Sequence, residues 1–137
     1  MTRVSGKRTS LFLFALIFTF AALRMFLYYS PNTDMYIGDY NIHHIYTGII
    51  LIAISGIPLV IVQGSNKILD LATLGFGAGL AMVLDETIFL VVTDGSNSSY
   101  LLPVSLFGGI FMISAAALWA MIILFFVIYI GDNAEDN

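Results

Sequence analysis

The chain is 137 residues long, 59% hydrophobic and only 10% charged, with a formal net charge of -4. An average soluble domain carries roughly 25% charged residues, so a water-soluble globule is excluded and a membrane protein with lipid as its main partner is expected. With no cysteine there is no disulfide framework, thiol nucleophile or zinc-thiolate site, and five basic residues leave no footprint for a nucleic acid.

The first apolar run, Leu11 to Tyr29, follows Arg3, Lys7 and Arg8 as the core of a signal peptide would. It is longer than such a core, carries Arg24, and lacks a small-x-small cleavage site before SPNTDMYIGDYN, so it is expected to stay as a transmembrane helix. The second run, Ile42 to Gln63, opens with His43 and His44 and contains Gly56 and Pro58, where a missing backbone donor bends the axis. The turn GSNK leads to the third run, Ile68 to Thr93, which holds Asp70 in its first turn, GFGAGL at its centre and Asp85-Glu86 toward its end. A polar stretch, DGSNSSYLLP, precedes the fourth run, Val104 to Ile130, and the tail GDNAEDN is expected to fray in solvent. Asn97-Ser98-Ser99 matches a glycosylation acceptor, a pattern too short to carry weight.

Each run approaches the roughly 20 residues that a helix needs to cross a bilayer, and none shows the alternation of a barrel strand. The backbone must satisfy itself in lipid, so the expected fold is all-α: a four-transmembrane-helix bundle, up-down-up-down. Its helices should cover about 11–29, 42–63, 68–93 and 104–130 in a single integral membrane domain spanning 1–137, with no separate soluble unit. Lys and Arg set the orientation. Three lie in the N-terminal tail and Lys67 in the GSNK turn, against none in the other two loops, which puts both termini on the cytoplasmic side of the cell (inner) membrane. Tyr28, Tyr29, Tyr36, Tyr40, Tyr46 and Tyr100 would then form an outer aromatic belt, with Tyr129 at the inner interface.

The ionisable residues inside these runs are the functional signal, because charge within a membrane helix costs at least roughly 2.5 to 3.5 kcal/mol at the bilayer centre. Counted from the GSNK turn at about 1.5 Å per residue, His43 and His44 lie roughly 30 Å up and Asp85 and Glu86 roughly 27 Å. Arg24 sits roughly 20 Å into the first helix, in the same outer half. Adjacent residues diverge by about 100°, so only one of each pair is expected to point inward. His44 shares a stripe with Gly48, Leu51 and Ser55, and Glu86 with Gly75, Gly79 and Met82; these two should face each other, with His43 and Asp85 flanking. GFGAGL lies inside a lipid-soluble helix rather than after a strand, so it reads as a packing face and not as a phosphate loop, as do Gly108 and Gly109. Asp70 suits the positive end of the helix dipole, while Trp119 and Met82 read as lipid-facing or packing residues.

Three chemistries fit that layer. His43, His44, Asp85 and Glu86 are the residue types that ligate a divalent metal ion, although adjacent histidines lack the i, i+4 spacing of a shared helix face and cannot ligate both sides of a haem. The same groups can hold a proton or relay one. Arg24 can instead close an internal salt bridge to Asp85 or Glu86 in a structural protein, a homo-oligomer or an accessory subunit of a membrane complex. No catalytic residue is identifiable. The leading expectation is cation or proton binding.

The pattern His43-His44-x-x-x-Gly48, followed by Gly75-x-Gly77-x-Gly79-Leu80 leading to Asp85-Glu86, resembles an uncharacterised family of small prokaryotic four-helix integral membrane proteins. The resemblance covers the second and third helices and implies architecture and residue choice, not an activity. Members often continue with D-x-Y-W, whereas Asp94 here is followed by GSNSSY without tryptophan.

Overall fold

The computed structural model describes residues 6–30, 36–37, 40–41, 43–64 and 67–135. The fold is all-α: a bundle of four long helices, α1 (Gly6–Tyr29), α2 (His44–Ile61), α3 (Lys67–Val92) and α5 (Pro103–Glu135), with one short helix, α4 (Asn97–Tyr100). All four long helices contain a span long and apolar enough to cross a membrane, and the chain is a multi-pass membrane protein by that measure. Two features depart from the sequence reading of the loops and tail. A short antiparallel ribbon, β1 (Tyr36–Ile37) with β2 (Tyr40–Asn41), lies between α1 and α2, pairing Tyr36 with Asn41 and Ile37 with Tyr40. The expected frayed tail is helical as far as Glu135, since no proline follows Pro103 to stop the run. α1 also begins five residues earlier than expected, at Gly6, and so takes in Lys7 and Arg8.

The central element is α3. It packs against α1, α2 and α5, while α1 and α5 meet more thinly. Its glycines explain how three neighbours fit. A Cβ on Gly79 would fall 2.7 Å from the Gly48 carbonyl oxygen, and a Cβ on Gly48 would fall 2.7 Å from that of Gly79, so α2 and α3 touch backbone to backbone. Gly77 points the other way, where a Cβ would meet the Phe12 carbonyl of α1 at 2.8 Å. The packing reading of GFGAGL therefore holds, with alternate glycines serving different partners. Beside them Leu16, Ala81 and Ile113 form the buried apolar centre, flanked by Phe12, Phe20, Leu80 and Leu84.

The chain directions follow from paired contacts. Lys7 and Arg24 of α1 reach Asp70 and Asp85 of α3, so both numbers rise together. His43 is beside Glu86 whereas Ser55 is beside Gly75, so α2 runs against α3. The outward faces carry Phe14, Phe18, Ile50, Ile54, Val60, Phe107, Phe111 and Trp119, all exposed, which is the surface a lipid environment would cover. Gly64 and Gly95 take positive φ (87° and 74°) where the chain leaves α2 and α3, a conformation that favours glycine.

Candidate functional site

Because α3 is covered on three sides, residues 100° apart on it can both face protein. Asp85 and Glu86 are 0% and 1% exposed. The expectation that Asp85 would flank the site is thus corrected: it is as deeply enclosed as Glu86 but faces different helices.

Asp85 is held by α1. Its Oδ1 accepts a hydrogen bond from Arg24 Nε at 2.7 Å and lies 2.5 Å from Nη2. The remaining guanidinium donors go to the far side of the layer. Nη1 donates to the Tyr100 carbonyl and to Ser105 Oγ, both at 3.2 Å, and Nη2 donates to the Ser105 carbonyl at 3.0 Å. One arginine thus joins α1 to α3, α4 and α5. The Tyr100 ring lies over the guanidinium at 4.3 Å, a cation-π contact, and its hydroxyl donates to Asp85 Oδ2. Burial, and next the Asp85 charge, push the Tyr100 phenol well above its ordinary value.

Glu86 is held by α2. Its Oε1 meets Nδ1 of His43 at 3.2 Å and Nδ1 of His44 at 3.1 Å, while Oε2 accepts the Ile45 backbone N–H at 2.9 Å. His43 is the extended residue before α2 and its side chain makes no capping bond. A carboxylate from the neighbouring helix supplies that acceptor instead, at the positive end of the α2 dipole. His44 lies between the acids, with Nε2 3.3 Å from Asp85 Oδ2 and its ring edge-on to Tyr100 at 5.8 Å. The imidazoles form the accessible rim: side-chain exposure is 24% for His43 and 18% for His44, against 0 to 2% for the carboxylates.

The structure therefore brings together all five sequence-derived residues, Arg24, His43, His44, Asp85 and Glu86, in one layer. The divalent-metal expectation gains no support. Among the described residues no group of three or more His, Asp or Glu is arranged to hold a metal ion. The atoms that would ligate one engage each other, two imidazole nitrogens sharing one Glu86 oxygen and the guanidinium saturating one side of Asp85.

Three residues of this layer have another role, or none, in the sequence reading. Tyr100 was expected in the aromatic belt, but it is 6% exposed and turned onto Asp85. Ser105 is fully buried against Arg24. Gly109 makes room for the ion pair, since a Cβ there would fall 2.7 Å from Asp85 Oδ1 and 3.0 Å from Arg24 Nη2. The spacing Ser105-x-x-x-Gly109, a small-x-x-x-small pattern, was the available signal. At the opposite end, Asp70 does more than meet a helix dipole: Lys7 pairs with it, Arg8 Nε lies 3.6 Å away, and Arg8 Nη2 donates to the Gly64 carbonyl at 2.7 Å. Comparisons with protein-family models, curated proteins and solved structures found no match to this chain.

Proposed function

We propose that this protein binds a proton in the layer formed by Arg24, Asp85, His44, Glu86 and His43. The observation that carries the reading is the position of His44, with one ring nitrogen near each of two buried carboxylates. Arg24 brings one positive charge to two acids, so the enclosed layer is one charge short of neutral. A single proton shared by Glu86 and the imidazoles completes it, and leaving buried charge uncompensated costs about 3–5 kcal/mol. Ionised carboxylates only accept hydrogen bonds. Each imidazole therefore presents an Nδ1–H to the same Glu86 oxygen, which leaves the second nitrogen of either ring to take the added proton.

In this reading the protein lies in the cell (inner) membrane with both termini cytoplasmic and its helices crossing up-down-up-down. The Lys7, Arg8 and Lys67 end is inside, as the positive-inside tendency favours, and the cluster faces outward. Exchange with the outer surface runs through the exposed rim of His43 and His44. Transport across the whole bilayer is not part of the reading, because the Thr73 and Thr87 hydroxyls donate to the Leu69 and Val83 carbonyls of their own helix and offer no onward relay. The resemblance to the small prokaryotic four-helix proteins fits this assignment of residues.

One observation favours a second reading, a structural protein or accessory subunit. The one side chain of Arg24 reaches from α1 to α3, α4 and α5, which is what a purely architectural clasp would do. Proton uptake between about pH 8 and 5, measured on bilayer-embedded protein, separates the two. The proton reading expects the wild type to keep one proton to higher pH than Glu86→Gln does. Superimposable uptake curves would leave only the clasp.

A further inference from the structure

Within the cluster, one polar atom lacks a hydrogen bond. His44 Nε2 is buried and close to Asp85 Oδ2, but makes no bond to it. A neutral His44 that donates Nδ1–H to Glu86 carries no hydrogen on Nε2, so Nε2 meets Oδ2 as a second acceptor, while the Tyr100 hydroxyl donates to that oxygen. Asp85 Oδ1 offers no alternative, since Arg24 holds it through Nε and Nη2. One oxygen thus faces a phenol donor on α4 and an imidazole nitrogen on α2 that becomes a donor only when the ring is protonated.

We propose that Tyr100 is the element through which proton binding at His44 is read by the outer segment of the chain. The inference rests on the proton-binding reading above. With His44 neutral, its Nδ1 serves Glu86 and Tyr100 keeps Asp85 Oδ2. When a proton arrives, both ring nitrogens become donors, and Nε2–H is the charge-assisted and stronger claimant for Oδ2. The Tyr100 hydroxyl then shares the oxygen with a stronger donor, and its own bond to Oδ2 weakens. Nothing else in the described layer has to change partner, because Glu86 Oε2 stays on the Ile45 N–H and Arg24 stays on Oδ1.

The groups facing His44 from every packed element are named by this geometry: Asp85 and Glu86 from α3, Tyr100 from α4, and His43 preceding α2, with Arg24 of α1 behind Asp85. Tyr100 is well placed to transmit the change. Its ring packs edge-on to Phe89 at 5.0 Å and to His44 at 5.8 Å, and its carbonyl accepts from Arg24. It also closes the short helix that begins after Ser96, where the Ser96 hydroxyl caps the Ser99 N–H. Tyr100 is accordingly a positioning residue: it sets how readily His44 takes its second proton, and it moves when His44 does.

The test uses the full chain in lipid bilayers, with the His44 ring nitrogens and the Tyr100 Cζ observed by NMR across about pH 4 to 9. The expected result is a Tyr100 change with the same midpoint as that of His44. Tyr100→Phe removes the competing donor and is expected to move the His44 transition to higher pH. If His44 titrates while Tyr100 Cζ stays constant, the inference is overturned and the proton reading stands, a result that needs no variant to fold. The same holds if the Tyr100→Phe midpoint is unchanged. If neither His43 nor His44 changes state across the range, the proton reading fails and takes this inference with it.

Discussion

Arg24 and Asp85 meet through two guanidinium nitrogens on one carboxylate oxygen, with Asp85 fully buried and the remaining donors of Arg24 spent on Tyr100 and Ser105. A pair enclosed in this way behaves differently from a surface ion pair. Breaking it strands a charge where no solvent can reach it.

Arg24→Ala should therefore destabilise the bundle by about 3–5 kcal/mol. Adding Asp85→Asn to it removes the stranded charge and should restore part of that loss. Unfolding of both variants in detergent, followed by circular dichroism, checks the pair; a double variant no more stable than the single one would contradict it.

Glycine substitutions should sort by what faces them. Gly79→Ala forces a methyl group to within 2.7 Å of the Gly48 carbonyl and should cost about 1–3 kcal/mol by parting α2 from α3. Gly56→Ala meets nothing within 4 Å and should leave stability unchanged or slightly raised. Equal losses in thermal unfolding would mean that close backbone approach does not hold these helices.

Much of this was legible before the structure. Run lengths gave the four helices, and counting residues from GSNK placed two histidines level with two acids. The rest was hidden for identifiable reasons. Helical phase alone sets one face of α3 against protein and leaves Asp85 on the flank; a helix with neighbours on three sides buries residues 100° apart equally well. Tyr100 was assigned to an interface because tyrosines commonly sit there. A sequence does not disclose that a turn capped at Ser96 folds this ring back onto Arg24. The Lys7 pairing with Asp70 was missed because the start of α1 was placed after the basic residues rather than through them.

Glu86 should control the start of α2. Glu86→Leu removes the acceptor for the Ile45 N–H, whereas Glu86→Gln keeps a carbonyl oxygen in reach. Hydrogen exchange at the Ile45 amide should speed up at least about tenfold in the leucine variant, the equivalent of losing roughly 1.4 kcal/mol of local stability, and much less in the glutamine variant. Identical exchange in both would show that α2 needs no partner at its N-terminus.

Alkaline and acid stability should report two different groups outside the spans. Burial, reinforced by Asp85, raises the Tyr100 phenol above its ordinary value of 10.0. The folded state thus favours the protonated phenol, and its contribution is intact below pH 10.0 and is lost as pH rises above it. Stability measured against pH should fall above that point in the wild type and more shallowly in Tyr100→Phe. Asp94 is the opposite case. Its carboxylate accepts the Ser96 backbone N–H and hydroxyl, which lowers it to about 2. The turn it closes is fully supported above pH 3.8 and should loosen only as pH falls toward about 2. Amide exchange at Ser96, compared with Asp94→Ala, reads this out.

The central claim is that the buried layer holds a proton that Glu86 shares with two imidazoles. Ring ¹⁵N shifts of His43 and His44 in bilayer-embedded protein, followed across pH in the wild type and in Glu86→Gln, test it most directly. The account predicts one coupled transition of both rings in the wild type, displaced to lower pH when the Glu86 charge is removed. Two rings that titrate independently, at the same pH with and without that carboxylate, would contradict it.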